Sequence, residues 1–452
     1  MIQLVAASTA YQVASLVAMI DSGTLPAPDG RRILVLADGS QLPELTTPIT
    51  ESAGFAELAT RFDAVVDLGA LVWPRRPHQF GPRAEELGMW ETLLRSHWSL
   101  GTEPLQLVVE SIQVNPAIAL CRIFHDATVF IHSDGLMSYG PSRNRVEPAI
   151  TQRLEGIVYP DLVPGLVPLL LSEAEPRLLP MDPTHLASVF EDLAGGLDGG
   201  EIDALVRGSS RCVLVLGQYL NNLGLIDEDG ERVLHEQMLA EAKSLDADLV
   251  VFKPHPAASP TAALRLGRAA GELGLQFEVC ESALSAELVA LKIRPVAIVS
   301  AFSTALVTCS RLFGFPARAV GTSALLQQLA PFENSNRIPL TLVDAMFVRG
   351  TTSPAALQGL VDAVSYGMQP DRLPHLRDAS AAYLRTHPVE RGRYFKQRRL
   401  HRLNLPNTLP ARPSGKRLRE GFRRAAKRSV QRPATFLRRQ LDRAGLQWPT
   451  EP

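Results

Sequence analysis

Ala127-Thr-Val-Phe-Ile131 runs straight into His132-Ser133-Asp134-Gly135, and Asp248-Leu-Val-Val-Phe252 runs into Lys253-Pro254-His255-Pro256. Each is a short apolar run that stops at a polar loop, the pattern of a buried parallel strand and the turn at its carboxyl end. In an open α/β sheet, ligands bind outside the carboxyl ends of the strands, so both strings are expected to open onto a cleft. One offers a carboxylate and the other an imidazole beside a lysine. Together they can take a proton from a hydroxyl and receive a leaving anion, which is group-transfer chemistry.

Outward from the first string, short apolar runs alternate with helical patterns. Strands are expected at 2–6, 32–36, 64–68, 105–110 and 127–132, with helices at 85–98 and 116–124 among them. From Gly156 to about Asp182 the pattern loosens among prolines. Asp182-Pro183 then reads as a helix start, and Gly195-Gly196 with Gly199-Gly200 as an interdomain hinge. Around the second string lies another series, with strands at 212–216, 249–252, 276–279, 296–299 and 317–320 and helices at 232–245, 261–273 and 303–313. Further helical segments at 354–365 and 379–384 close the body. The expected fold is α/β of GT-B type: two Rossmann-like β/α/β domains facing a central cleft, plus a basic C-terminal tail. The expected boundaries are 1–195 for an acceptor domain, 196–385 for a donor domain with closing helices, and 386–452 for a partly disordered or amphipathic tail.

A chain of 452 residues exceeds what one hydrophobic core usually serves, and its 46% hydrophobic and 21% charged content is ordinary for a globular protein. The four cysteines lie far apart with no C-x-x-C pair, which argues against a structural zinc or a disulfide framework and suits a reducing cytosol. Residues 2–20 are apolar but lack a basic flank, so a strand, a turn and a helix fit better than an export signal. No run of about 18 apolar residues calls for a membrane span. The net charge of −1 hides an asymmetry: residues 385–443 hold 19 Lys/Arg against three acids.

Asp134 precedes a glycine at a strand end, so its carboxylate is held on rigid backbone while Gly135 lets a substrate come close. A plain Asp-Gly turn is the alternative, but Leu-Met-Ser-Tyr-Gly-Pro follows where a returning strand would be needed. Around His255, Pro254 and Pro256 stiffen the loop and Lys253 adds a cation, which suits a phosphate leaving group. Ser303 can cap the helix that follows Ser300-Ala-Phe, and the free N–H groups of that helix end favour a phosphate beside Ser303 and Thr304. Glu287, in Leu284-Ser-Ala-Glu-Leu288, can hold the two hydroxyls of a ribose; read alone, it is a charge on a solvated helix face.

In this order and spacing, the four strings resemble the bacterial sialyltransferases, most closely the polysialyltransferase-like family, over residues 1–385. His132-Ser-Asp-Gly-Leu-Met-Ser-Tyr139 is similar to the family's D/E-D/E-G motif, which implies Asp134 as general base. Lys253-Pro-His-Pro256 resembles its H-P motif, which implies His255 as general acid on a CMP phosphate. Phe302-Ser-Thr304 resembles its serine motif at the same phosphate, and Leu284–Leu288 its cytidine-ribose segment. Ala7-Ser-Thr-Ala-Tyr-Gln12 resembles its N-terminal loop at the cleft. The implied donor-binding residues are therefore Lys253, Pro256, Glu287, Ser303 and Thr304, and the acceptor or cleft residues Gly135, Gln12 and Ser133. Ser133 departs from the family, which carries an acid there.

The resemblance implies inverting transfer of sialic acid, or a related nonulosonic acid, from a CMP-activated donor to a glycan or glycolipid hydroxyl. It implies no metal and no cofactor beyond that donor substrate, and a bacterial, cytoplasmic enzyme of capsule or surface polysaccharide synthesis. Two alternatives stay open. One is a CDP-polyol phosphotransferase of the teichoic-acid type, whose base is usually a histidine; His132 is two residues from Asp134. The other is a degenerate transferase serving as a scaffold. In the tail, Leu418, Phe422, Ala426 and Val430 recur near every fourth residue between Lys and Arg, which suits an anionic membrane surface. Sparse aromatic interleaving argues against nucleic acid.

Overall fold

The computed structural model describes residues 1–39, 47–218, 220–221, 223–255 and 260–407. Its first lobe is a parallel sheet of β1 (Ile2–Ala7), β2 (Arg32–Leu36), β3 (Ala64–Asp67), β4 (Leu105–Val109), β5 (Thr128–His132), β6 (Leu154–Pro160) and β7 (Arg177–Met181). Their spatial order is β3-β2-β1-β4-β5-β6-β7. The second lobe orders β8 (Cys212–Leu216), β9 (Leu249–Lys253), β10 (Gln276–Val279), β11 (Ala297–Ser300) and β12 (Ala317–Ala319) as β10-β9-β8-β11-β12, again parallel. This is the expected GT-B arrangement of two Rossmann-like halves. Strand order reverses beside β1 in one lobe and beside β8 in the other, and such reversals open a crevice at the strand ends.

The sequence reading missed β6 and β7, and the reason is visible. Pro160 ends β6 and Pro180 lies within β7, and prolines in a run argue against a strand. Here β7 is the sheet edge, where a missing N–H costs little.

The expected glycine hinge is also corrected. Gly195 and Gly196 form the last turn of the helix Pro183–Gly196, and Gly199 precedes another helix, Gly200–Leu205. Lys292 Nζ, from the second lobe, donates to the carbonyls of Ala194 at 3.3 Å and Leu197 at 3.0 Å. A cation on the C-terminal carbonyls supports that end without a flexible break.

The same helix joins the lobes. Phe190 is buried with its ring centroid 5.4 Å from Tyr11 and 6.5 Å, edge-on, from Phe313. Leu288 belongs to this apolar cluster as well. Truncating Phe190 to Ala would cost about 3–5 kcal/mol and loosen the seam between lobes.

The expected start of the tail at 386 is corrected too, because the compact body runs from Met1 to Pro406. Asp344 is completely buried and accepts hydrogen bonds from Thr322 Oγ1, from Arg393 at 2.5 and 2.6 Å, and from Tyr394 Oη at 2.7 Å. These bonds hold its carboxyl below the usual range against the effect of burial. They tie the helix Pro388–Tyr394 to the second lobe, and Leu400 of the helix Gln397–Arg402 is buried behind it. The amphipathic stretch 418–430 lies outside the described residues.

Candidate active site

Asp134 and Gly135 follow β5, and no hairpin forms: a short 3₁₀ turn, Leu136–Tyr139, comes next. Leu136 and Tyr139 are buried in the core of the second lobe, and Tyr139 Oη accepts from the Val163 N–H at 3.1 Å. The loop carrying Asp134 is therefore pinned between the lobes. Gly135 has an extended φ of −155° that any residue could adopt, so conformational freedom is not why a glycine sits here. A Cβ on it would come within 3.3 Å of Thr304 Oγ1. The glycine allows the first lobe to meet the helix start of the second.

That helix is Thr304–Phe313, capped by Ser303, whose Oγ accepts from Ala305 N–H at 3.2 Å. The turn before it is held from β8: Gln218 Oε1 accepts from Phe302 N–H at 2.9 Å and lies 3.4 Å from Ser300 Oγ. Gln218 was not singled out in the sequence. Its place just beyond β8, at the reversal of the sheet, is the signal that would have found it.

Asp134 is partly buried, and its surroundings push its carboxyl up to about 6. Burial is the main cause, the charge of Glu110 the next, and Glu287 adds to both; a hydrogen bond from Gln12 opposes them. Gln12 is buried in the first turn of the helix Ala10–Asp21, its Oε1 accepting from Ser8 N–H at 2.8 Å and Ser8 Oγ at 2.9 Å. It therefore lies beside the candidate base, among the acceptor or cleft residues expected from the sequence. Ser133 is buried, with its N–H donating to Val158 O at 2.9 Å. His132 is completely buried and its Nε2 lies 2.8 Å from Ala6 O, a fixed structural position behind the cleft. Burial lowers its pKa, with Glu110 and the Ala6 carbonyl acting the other way.

Glu287 opens the helix Ala286–Ile293, which Ser285 caps. It is only 4% exposed, and its Oε1 accepts from Thr308 Oγ1 at 2.6 Å. Burial raises its pKa, while Thr308 and the charge of Lys253 hold it down. The solvated-face reading of Glu287 is thereby excluded. Tyr11, missed in the sequence reading as a site residue, brings a buried hydroxyl with no hydrogen-bond partner among the described residues. Burial raises its pKa well above the usual value, with Glu287 and Asp134 as the next causes.

Lys253 ends β9, and its Nζ donates to Ser282 O at 2.9 Å. Burial lowers its pKa, with Cys280 and Glu287 acting the other way. His255 is exposed two residues on, its imidazole held below the ordinary value by the protein packed around it. Pro256 lies outside the described residues. Asp134-Gly135, Ser303-Thr304 and Glu287 thus share one seam, with Lys253 linked to it through Glu287. Among the described residues no cluster of three His, Cys, Asp or Glu could hold a metal, and no helix is long and apolar enough to cross a membrane.

A family model described as alpha-2,8-polysialyltransferase (POLYST) matches residues 3–322. No curated protein matches the chain. Among solved structures it is similar to a 2,6-sialyltransferase from Photobacterium sp. JT-ISH-224, crystallised with the donor product CMP and the acceptor lactose. The identity is 14% over 76% of each chain, with a TM-score of 0.40. A sialyltransferase from Photobacterium damselae is 12% identical over 76% of this chain and 96% of that one, with a TM-score of 0.39. A UDP-GlcNAc 2-epimerase from Methanocaldococcus jannaschii is 12% identical over 70% and 83%, with a TM-score of 0.42.

Proposed function

The chain belongs to the alpha-2,8-polysialyltransferase family and is a glycosyltransferase; on that premise we propose that it transfers sialic acid, or a related nonulosonic acid, from a CMP-activated donor to a glycan hydroxyl, with inversion and without a metal. The observation that carries this reading is the meeting of Asp134-Gly135 with the Ser303-Thr304 helix start across the seam. It sets a proton acceptor opposite an anion-binding helix end, the two ends of a single displacement.

In the proposed step, Asp134 removes the acceptor's proton as that oxygen bonds to the anomeric carbon and the bond to CMP breaks. His255 protonates or hydrogen-bonds the departing phosphate, while the N–H groups behind Ser303 and Thr304 receive its charge. Lys253 adds positive charge beside Glu287, and Glu287 takes the ribose through the oxygen that Thr308 does not occupy. The base contributes about 10²–10⁴-fold. Stabilisation of the leaving phosphate is the larger share, because fixed dipoles need no reorganisation during the reaction.

The burial of His132 against Ala6 favours Asp134 as the base over a histidine, and so favours sugar transfer over polyol-phosphate transfer. The basic tail is proposed to hold the enzyme at the cytoplasmic face of an anionic membrane, near a lipid-linked acceptor. A panel of CMP- and CDP-activated donors tests the reaction. CMP release with CMP-sialate, rising on addition of glycan acceptor, is expected; release from CDP-glycerol alone would overturn the reading.

A further inference from the structure

Position 133 is where the resembled motif carries an acid, and this chain has a buried serine there. An acid nevertheless stands near Asp134, on the neighbouring strand. Glu110 is the first residue after β4, one step beyond the Val109↔Ile131 pair that registers β4 on β5. It lies at the strand-end edge where the sheet order reverses between β1 and β4. Its Oε2 lies 3.1 Å from Ser8 Oγ, and that hydroxyl is also 2.9 Å from Gln12 Oε1. Gln12 Oε1 takes the Ser8 backbone N–H as well. With its oxygen committed to Ser8, the Gln12 amide has only its NH₂ group to offer toward Asp134, whose ionised form it favours. Glu110, Ser8 and Gln12 thus form one polar group at the strand ends beside Asp134.

We propose that Glu110 is the second acid of the catalytic site, a positioning residue held by Ser8 at the strand ends, which acts on Asp134 by its charge and stands in for the acid missing at position 133. The proposal rests on the reading of Asp134 as the base. The Ser8 backbone N–H fixes which end of the Gln12 amide faces Asp134, and the Ser8 hydroxyl, with one proton to share between them, holds Glu110 beside that amide. Across space, its charge opposes ionisation of Asp134 and so makes the ionised form a stronger proton acceptor. The other groups facing Asp134 are Glu287 on the helix Ala286–Ile293 and Tyr11 on the helix Ala10–Asp21. His132, on the same strand, faces Glu110, and Lys253 reaches the set only through Glu287.

The sign of the effect follows. Removing a negative neighbour makes a carboxyl more acidic, so Glu110→Gln shifts the Asp134 titration to lower pH. With aspartate carboxyl carbons labelled in the full-length protein, and Asp134→Asn used to assign the signal, the midpoint is expected to fall by about half a unit or more. The acid limb of kcat/KM moves the same way, kcat falls at its plateau, and Glu110→Asp restores both. Glu110 is exposed, so its replacement leaves the fold intact, which circular dichroism checks. An unmoved Asp134 midpoint in Glu110→Gln overturns the proposal. The titration reads the coupling without any substrate. A wild-type enzyme inactive with every CMP donor would defeat the functional reading, whereas an unmoved midpoint in an active enzyme defeats only the role of Glu110.

Discussion

Asp134→Asn tests the base assignment twice, once through activity and once through stability. The amide has nearly the shape of the carboxylate, and its oxygen can still accept from the Gln12 NH₂, so the loop between β5 and the second lobe keeps its anchors. What disappears is the ability to take a proton, and transfer is expected to fall by about 10²–10⁴-fold. The stability readout has the opposite sign. The folded-state pKa of about 6 lies above the ordinary aspartate value, so the folded protein binds more protons than the unfolded chain between about pH 4 and 6. Stability is therefore lost as pH rises through that window, and the full cost stands above it. A displacement of about two units corresponds to roughly 2–3 kcal/mol. Asp134→Asn removes this cost, so the variant is expected to melt about 2–5 °C above wild type at pH 7. The gain should vanish near pH 4, where both forms are neutral. Melting curves at the two pH values, with initial rates on CMP-sialate, make the measurement. More than about a tenth of wild-type activity in the variant would refute the base assignment. An equal melting shift at both pH values would refute the argument that ionised Asp134 strains the seam.

Because its surroundings hold His255 below its ordinary pKa, it enters the reaction neutral near pH 7, and a bound phosphate draws it toward the charged form. Calorimetric donor titrations in buffers of different ionisation enthalpy should therefore show proton uptake in wild type and none in His255→Ala; equal uptake in both would remove His255 from the phosphate. Glu287→Gln should keep the Thr308 bond and raise donor KM with kcat within a few-fold, whereas loss of kcat at unchanged KM would contradict a ribose contact. Truncation after Asn407 removes 12 Lys/Arg and should leave a folded, donor-binding enzyme that no longer pellets with anionic vesicles. Equal pelleting of the two forms would sink the membrane reading. Truncation after Arg385 strips Arg393 and Tyr394 from buried Asp344 and should cost about 3–5 kcal/mol. Melting temperatures of the two truncations compare these cases, and a 1–385 protein as stable as 1–407 would refute the anchoring role of Asp344.

Most of the strand framework was legible because buried parallel strands are written as short continuous apolar runs, as in Arg32–Leu36, Cys212–Leu216 and Leu249–Lys253. The failures came where a local rule was overridden from a distance. Pro180 disguised an edge strand that needs fewer donors. Gly195-Gly196 read as a hinge because nothing nearby announces that Lys292, almost a hundred residues on, will cap their helix. Asp344 and Arg393 are separated by 49 residues, so the packed helices after Arg385 looked like the start of a charged tail. Candidate residues could be singled out in the sequence where chemistry and chain position coincide, as at Asp134, His255 and Ser303. Gln218 and Glu110 carry no motif, and Tyr11 was passed over inside the Ala7–Gln12 string; topology brings all three to the strand ends.

The placement of charge along the seam gives the proposed reaction its direction. Glu110 and Asp134 follow strands of the first lobe, whereas Glu287 belongs to the second, bonded to Thr308 of the helix that Ser303 caps, with its charge still felt by Asp134. The groups proposed to hold the donor belong to the second lobe: the helix end behind Ser303, His255 just after β9, and Lys253 beside Glu287. An anionic donor approaching this seam would be repelled from Glu110 and Asp134 and drawn to the helix end, which would turn its phosphate away from Asp134. A neutral hydroxyl feels no such repulsion and can enter beside Asp134. The two substrates would thus be sorted by charge before any specific contact forms. Gly135 and Thr304, 3.3 Å apart were a Cβ present, leave almost no space between the two sides. That closeness allows proton removal and phosphate departure to belong to one displacement, and it ties the geometry of the base to the seating of the helix that receives the leaving group.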